Sequence, residues 1–216
     1  MKKVFATVLG AVLMLIGTQA FAQASIGVGY INASDKTVTT SGSSASTSDK
    51  ADLNGFYVGF DYNLNIVAGL GVQAGLFADM LFSSASTDAI VISGTGSFKE
   101  IDLNIPLNLT YTFTLNRDFS IFAYAGPTFQ FGVYKNYKVR ATGKITGKDY
   151  GESWDYYKDV VPNHKPFNIY IGGGAGFQAG NIQVKVGYDH SLMNMIDSSD
   201  SKRGRGQIKI GVGFAF

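Results

Sequence analysis

Few residues in this sequence have the types and spacing that catalysis or metal binding requires. There are two histidines, His164 and His190, and no cysteine. Asp189, His190 and Ser191 have the residue types of a hydrolytic triad, but consecutive side chains on a strand point to opposite faces. A nucleophile, its base and its orienting group must instead lie within hydrogen-bond reach. The histidines also lack the spacing of a metal site, so we expect no catalytic centre, no metal and no other cofactor.

The stretch 101–113 (IDLNIPLNLTYTF) indicates which kind of element would position such side chains. Apolar residues at the odd positions alternate with polar residues and a proline at the even positions, and a period of two predicts a strand with two different faces. Strands of soluble proteins have about 5–6 residues, whereas a membrane-spanning strand needs about 9–11. This strand is therefore long enough to cross a bilayer.

The same alternation recurs along the chain and predicts eight strands. They are residues 24–33, 54–62, 67–82, 101–113, 119–134, 167–179, 182–192 and 207–216. Long and short connections alternate, and the long ones are predicted external loops near 34–52, 83–97, 135–165 and 193–205. The first of these is a low-complexity Ser/Thr run, which we expect to be mobile because it has no reason to pack. An even strand count with alternating short turns and long loops is typical of an outer-membrane barrel.

We therefore predict an all-β fold, an eight-stranded antiparallel up-and-down transmembrane β-barrel. One face of each strand is nearly all apolar, and the other is rich in Gly and carries the charges. This fits a lipid-facing exterior and a polar lumen; a soluble barrel of the same strand number would invert the two faces. Pro106 and Pro127 lie within strands although a closed barrel has no edge, so we expect a bulge or a lost ladder bond at each.

The N-terminus resembles a secretory signal peptide. Lys2 and Lys3 precede an apolar run over residues 4–16, and Ala20-Phe21-Ala22 is an A-x-A cleavage site. We predict a signal peptide over residues 1–22 and a barrel domain over 23–216, with both termini periplasmic. The chain carries 18 Lys+Arg against 16 Asp+Glu; the signal peptide holds two lysines and no acid, so the mature chain is formally neutral. This balance gives no reason to expect nucleic-acid binding.

Charged residues of both signs fall on the predicted lumen face. They are Asp61, Asp79, Asp102, Lys185, Asp189 and Lys209. One interpretation is an ion or proton path. The other is an internal salt-bridge network, because buried charges must be paired and an eight-stranded barrel is just wide enough to be filled by side chains. We expect the network.

The third predicted loop combines aromatic and basic residues. They include Tyr137, Lys138, Arg140, Tyr150, Trp154, Tyr156 and Tyr157. Such a set can bind glycans, lipopolysaccharide phosphates or a partner protein, and it can equally form an interfacial aromatic belt with solvated charges. Lys202, Arg203 and Arg205 in the last loop are expected to neutralise lipid phosphates.

From the fourth predicted strand onward the sequence resembles the PorT-like outer-membrane β-barrel family. The matching segments are LNIPLNLTY (103–111), AYAGPTF (123–129), IGGGAGFQAGNIQVKVGYDHSLMNM (171–195) and IGVGFAF (210–216). The alternating C-terminus with Phe214 and Phe216 is similar to the signal recognised by the barrel assembly machinery. The resemblance implies a β-barrel fold and a location in the outer membrane of a Gram-negative cell. It supplies no catalytic motif.

The expected function is that of a non-enzymatic, monomeric, integral outer-membrane protein with an envelope-structural or surface-interaction role through its external loops. Its expected partners are outer-membrane lipid, lipopolysaccharide and, during biogenesis, the assembly machinery. One alternative is a narrow pore for ions or small solutes whose conductance depends on Asp79, Asp102 or Lys209. A second is an accessory barrel in protein secretion, which only the family resemblance suggests. A third, a lipid-modifying enzyme, would depend on His190 or Ser191.

Overall fold

The computed structural model describes residues 22–41, 45–88, 92–143, 149–155, 165–196 and 201–216. These residues form nine strands: β1 (Ala22–Ser41), β2 (Ala45–Val67), β3 (Leu70–Asp88), β4 (Ile92–Thr114), β5 (Phe119–Gly143), β6 (Asp149–Asp155), β7 (Phe167–Ala179), β8 (Ile182–Ser191) and β9 (Ser201–Ala215). In the described ranges no helix has the length and apolar character needed to cross a membrane. The predicted signal peptide, apart from Ala22, lies outside them.

Eight of the strands close into a ring. The order is β4-β3-β2-β1-β9-β8-β7-β5, and β5 pairs again with β4. All pairings are antiparallel. The predicted eight-stranded antiparallel barrel is thereby confirmed. The ninth strand, β6, is an addition that pairs with the far end of β5.

The outer surface of the ring carries a band of exposed apolar side chains. On β4 this apolar band runs from Ile101 to Phe113, and on β9 from Ile208 to Phe214. The alternate positions point inward and include buried Asp, Asn, Gln and Thr residues. The inverted arrangement of a soluble barrel is therefore ruled out, and the predicted orientation of the two faces is correct.

Glycines on the inner face make room for aromatic rings. A Cβ at Gly211 would collide with the hydroxyl oxygen of Tyr57, and a Cβ at Gly187 would collide with that of Tyr124. The Gly-rich inner face is thus a packing requirement of a narrow lumen, in which rings from one strand lie against the bare backbone of another.

Where they are described, the predicted external loops are largely wrong, because the strands continue through them. Residues 42–44, 89–91, 144–148, 156–164 and 197–200 of these loops lie outside the described residues. The run 34–50, expected to be mobile, lies mostly in a ladder that extends from Ser34↔Asp52 to Ser41↔Ala45. Residues 83–88 pair with 93–98, and 136–142 pair with 149–155. Residues 201–205 belong to β9. Backbone ladder bonds need no apolar side chain, and Thr suits a pleated strand, so polarity alone did not mark a loop.

We call these extensions the rim strands and their end of the barrel the hairpin end; the opposite end, with the short connections, is the turn end. At the turn end, β2 runs on to Val67, and Ala68 (φ 49°) and Gly69 (φ 84°) form the two-residue turn to β3. The third predicted strand therefore begins at Leu70 rather than at residue 67. Positive φ at both positions matches a type I′ hairpin.

The strand prolines interrupt the ladder without shifting its register. β3–β4 pairing stops at Ala74↔Leu107 and resumes at Phe77↔Asn104 in the same register, so Pro106 costs ladder bonds and makes no bulge. The one bulge of the β4–β5 ladder lies between Ile101 and Asp102. It reverses which positions of β5 face inward beyond residue 133.

Replacing Leu107 by arginine should destabilise the barrel strongly. Leu107 is exposed near the middle of the apolar band, where a lipid-facing Arg costs about 2–4 kcal/mol. Leu115→Arg is the matched control, because Leu115 is as exposed but lies in the turn after β4. Urea unfolding in lipid vesicles measures both; equal effects would show that the band does not face lipid.

Candidate functional site

The lumen holds charged side chains at three levels, and the first lies nearest the turn end. Lys185 on β8 approaches Asp61 on β2 at 2.7 Å between Nζ and Oδ2. Ser25 and Gln73 both donate hydrogen bonds to Asp61 Oδ1, at 2.8 and 2.9 Å. The carboxylate therefore has donors on both oxygens, as a buried charge requires.

The second level is centred on Lys209 of β9. Its Nζ lies 3.0 Å from Asp79 Oδ2 on β3 and 3.7 Å from Asp189 Oδ2 on β8. The ammonium group also lies 6.0 Å from the centre of the Tyr57 ring. Asp79 is completely buried, so this cation is its essential partner. The first two levels unite five of the six predicted lumen charges.

The third level is a fully buried arginine, Arg205 on β9. Its Nη1 and Nη2 donate to the two oxygens of Glu100 on β4 at 3.0 and 2.9 Å. Its Nε and Nη2 donate to the two oxygens of Asp35 on β1. One guanidinium thus forms forked contacts with two carboxylates, the geometry in which Arg binds carboxylates most strongly.

Further charges complete this Arg205 cluster. Lys135 Nζ lies 3.0 Å from Glu100 Oε1, and Arg203 Nη2 lies 2.6 Å from Asp35 Oδ2. The sixth predicted lumen charge, Asp102, lies 3.7 Å from Arg205 Nη1 and so belongs to this level. Burial alone would raise the pKa of Asp35, which lies beyond the apolar band, but Arg205 and Arg203 lower the pKa below its usual value. Asp35 therefore stays ionised in its buried position.

The Arg205 cluster spans the lumen. In the ring, β9 and β4 have three strands between them in either direction, so a contact from Arg205 to Glu100 crosses the barrel. Beside it, Ile31, Ala33, Leu53 and Leu81 form a buried apolar cluster on the wall made by β1, β2 and β3. Salt bridges and apolar packing together close the barrel at this level.

Two cavities lie in the described part of the lumen, and neither Arg205 nor Glu100 lines them. One, of about 190 Å³, is lined by turn-end residues such as Asn63 and Arg117. The other, of about 90 Å³, reaches from Asp61 and Lys185 to Lys209. Both cavities thus lie on the turn-end side of the Arg205 cluster.

The structure separates the residues of the triad-like sequence. Asp189 faces the lumen, where it accepts a hydrogen bond from Gln207 Nε2 at 3.2 Å, and His190 is exposed on the outside. Ser191 is buried, and its Oγ accepts a hydrogen bond from the backbone N–H of Arg205 at 2.8 Å. Ser191 therefore supports the strand that carries Arg205.

The predicted position of Arg203 and Arg205, in a loop beside lipid phosphates, is wrong: both pair with Asp35 in the lumen. Asp35 and Glu100 are not among the predicted lumen charges, since Asp35 falls in a predicted loop and Glu100 just before a predicted strand. The strand alternation marks both positions. Each lies an even number of residues from an inward residue of its own strand, as Arg205 does from Lys209. Extending the alternation beyond the apolar band would have found them.

The predicted aromatic and basic group divides between two faces of the rim. The rings of Tyr137 and Trp154 stack at 6.3 Å between centroids on paired positions of β5 and β6, while Lys138 and Arg140 are exposed on the opposite face. The Tyr150 side chain, Tyr156 and Tyr157 lie outside the described residues. At the other end of the barrel, Phe214 and Phe216 are exposed and in edge contact at 5.4 Å.

A comparison with protein-family models identifies the fold. Residues 8–216 match the outer membrane protein beta-barrel domain. The chain belongs to this family. It is therefore an outer-membrane β-barrel, in agreement with the closed ring and the exposed apolar band. No curated protein matches the sequence.

Solved structures with a similar chain include small outer-membrane proteins. Ail, the attachment invasion locus protein of Yersinia pestis, in complex with the heparin analogue sucrose octasulfate, is 15% identical, with 91% of this chain and 99% of that chain covered and a TM-score of 0.44. OprG of Pseudomonas aeruginosa is 11% identical, with 91% of this chain and 96% of that chain covered and a TM-score of 0.47. Neisserial surface protein A is 18% identical, with 89% of this chain and 99% of that chain covered and a TM-score of 0.40. Because these identities and scores are low, no functional conclusion rests on them.

Replacing Arg205 by alanine should cost about 3–5 kcal/mol of unfolding free energy, because it leaves buried carboxylates without their main cation. Lys202→Ala on the same strand is the control; Lys202 is exposed, and such a change stays within about 0.5 kcal/mol. Arg205→Lys should fall between them, since it keeps the charge but loses the forked contacts. Denaturant unfolding in detergent micelles measures all three. Equal stability of Arg205→Ala and the control would contradict the assigned role.

Proposed function

We propose that this outer-membrane protein is a closed, non-enzymatic barrel that displays its rim strands at the cell surface as an interaction surface, with both termini in the periplasm. The observation that carries the proposal is the Arg205 cluster, which crosses the lumen where the rim begins. Below it the barrel spans the membrane, and above it β5 continues from the band-edge Tyr134 to Gly143. A closed barrel that extends so far beyond its apolar band is suited to presenting a surface.

The hydrogen bond between Phe216 and Ala24 supports the proposed orientation. The backbone N–H of Phe216 donates to the Ala24 carbonyl at 2.9 Å, so β1 begins and β9 ends at the turn end. Outer-membrane barrels place their short turns in the periplasm. The predicted signal peptide before Gln23 agrees with translocation of the chain into that compartment.

The non-enzymatic part of the proposal rests on how the polar groups are used. The lumen carboxylates Asp61, Asp79 and Glu100 have lysine or arginine partners. The Ser191 hydroxyl accepts a hydrogen bond from the backbone of Arg205. His190 lies on the opposite face from Asp189. A nucleophile with an adjacent base, which covalent catalysis needs, is not assembled among these residues.

The inner face of the rim offers one concrete contact surface. Tyr137 and Trp154 are stacked and half-exposed, and Asn136 fixes this hairpin by donating to the Trp154 carbonyl at 3.1 Å. Stacked aromatic groups of this kind are typical contact residues. We also infer a place in the PorT-like branch of the family from the motifs at 103–111 and 171–195.

A narrow pore is the second candidate, because cavities of about 190 and 90 Å³ occupy the turn-end part of the lumen. Planar-bilayer recording separates the two. We expect no steady conductance from the wild-type barrel and transient openings from Arg205→Ala, with Lys202→Ala silent as the control. Steady wild-type conductance with a selectivity that changes in Lys209→Glu would favour the pore.

The proposed orientation can be tested by labelling, because the chain contains no cysteine. Ser48→Cys at the hairpin end and Asn116→Cys at the turn end are both exposed. The reagent is a maleimide attached to a polymer too large to enter the periplasm. It should label Ser48→Cys on intact cells, and it should label Asn116→Cys only after the cells are lysed. Labelling of Asn116→Cys on intact cells, with Ser48→Cys protected, would reverse the orientation.

A further inference from the structure

The charges of the rim strands sort by face. Among the described side chains, the inward positions carry four acids, the buried Asp35 and Glu100 with their cations and the exposed Asp49 and Glu152. The outward positions carry cations, all of them exposed: Lys36, Lys50, Lys99, Lys138, Arg140 and Lys202. Asp52 is the one carboxylate on the outward face among the side chains that the structure describes. The described part of the rim thus presents a basic outer surface.

The strand register gathers these cations into two clusters. In the first, Lys36 on β1 lies directly opposite Lys50 on β2, and Lys202 on β9 pairs with Val38, the next outward position after Lys36. Like charges directly opposite each other on a sheet are destabilising. Asp52, the next outward residue after Lys50, is the diagonal neighbour of Lys36 and offsets part of this repulsion. The three cations of the cluster still exceed this single carboxylate, which favours a bound anion.

The second cluster lies on β4 and β5. Lys99 is opposite Asn136, so Lys138 is its diagonal neighbour, and Arg140 is the next outward residue. The Lys99 ammonium lies 5.9 Å from the centre of the Phe82 ring, at the edge of the apolar band. This cluster therefore forms a row that starts at the band and runs away from it.

The height of the two clusters decides which anion fits. Lys99 lies two positions beyond the band-edge Ile101, whereas Arg140 and Lys36 each lie six positions beyond Tyr134 and Tyr30. At about 3.3 Å per residue and a tilt near 45°, the backbone positions of these cations lie roughly 5 to 14 Å beyond the band. A phospholipid headgroup layer is only about 5–8 Å thick, so a phospholipid phosphate is level with Lys99 and lies below the backbone of Arg140 and Lys36.

We propose that these two clusters bind the phosphate groups of a phosphorylated glycolipid, lipopolysaccharide, in the leaflet around the hairpin end. A headgroup built of several sugars places phosphates far enough from the bilayer to meet Arg140 and Lys36, while the aromatic edge of the band contacts the acyl chains. The biological setting of this site rests on the proposed orientation of the barrel.

The test measures affinity of the refolded full barrel, in zwitterionic detergent, for purified lipopolysaccharide, its dephosphorylated form and phosphatidylglycerol. Each cation removed should weaken lipopolysaccharide binding about fivefold. Lys99→Gln should weaken binding of lipopolysaccharide and phosphatidylglycerol, whereas Arg140→Gln should weaken lipopolysaccharide binding alone. Arg117→Gln is the matched control, because it removes an exposed cation from the turn end.

Dephosphorylated lipopolysaccharide should bind the wild type about as weakly as intact lipopolysaccharide binds a variant in which the six cations of both clusters (Lys36, Lys50, Lys99, Lys138, Arg140 and Lys202) are replaced by glutamine. Unchanged affinity in that variant, or equal weakening by Arg117→Gln, would overturn the proposal. Equal affinity for phosphatidylglycerol and lipopolysaccharide would overturn the assignment to a glycolipid. Because binding in detergent does not depend on orientation in the cell, its failure is distinguishable from a failure of the cysteine-labelling experiment.

Discussion

The structure depends most on a single buried guanidinium. Arg205 is completely excluded from solvent and holds Asp35 and Glu100 through forked contacts, so β1, β4 and β9 must meet at one height. An ion removed from water is tolerated only when its partners are in place. The register of the β1–β9 ladder and the closure of the ring at β4 are therefore coupled to the same charge, and the closure is a property of the whole barrel.

One two-residue period produces three surfaces of different chemistry. Inside the apolar band it separates lipid-facing residues such as Leu109 from lumen residues such as Asn108. Beyond the band it separates the carboxylates of the Arg205 cluster from outward cations such as Lys36 and Lys99. The same backbone alternation continues beyond the apolar band. What changes is the surroundings of the outer face, which are acyl chains at the band and the headgroup and aqueous layer beyond it.

The ring and the orientation of its faces could be predicted from sequence, because apolar alternation is strong wherever a strand faces lipid. The rim could not, because that signal ends near Tyr30 and Tyr134 while the backbone ladder continues through Ser/Thr-rich segments. Asp35, Glu100 and Arg205 keep the inward parity of their strands, so the alternation predicts their positions when it is continued past the apolar band. The alternation does not predict Lys135, because the bulge between Ile101 and Asp102 moves the inward face of β5 to odd positions and no residue type marks a bulge.

The position of the closure determines where this protein can act. Lys209 lies within the apolar band, between Ile208 and Ile210, but Arg205 lies beyond its edge, and the two cavities lie on the turn-end side. A molecule that reaches the rim from the hairpin end therefore meets the Arg205 cluster before any open part of the lumen. Opening this route would require separating a buried arginine from two carboxylates, which is costly in a low-dielectric interior. The proposed interaction role therefore depends on the surfaces of the rim itself, the aromatic inner face around Trp154 and the basic outer face.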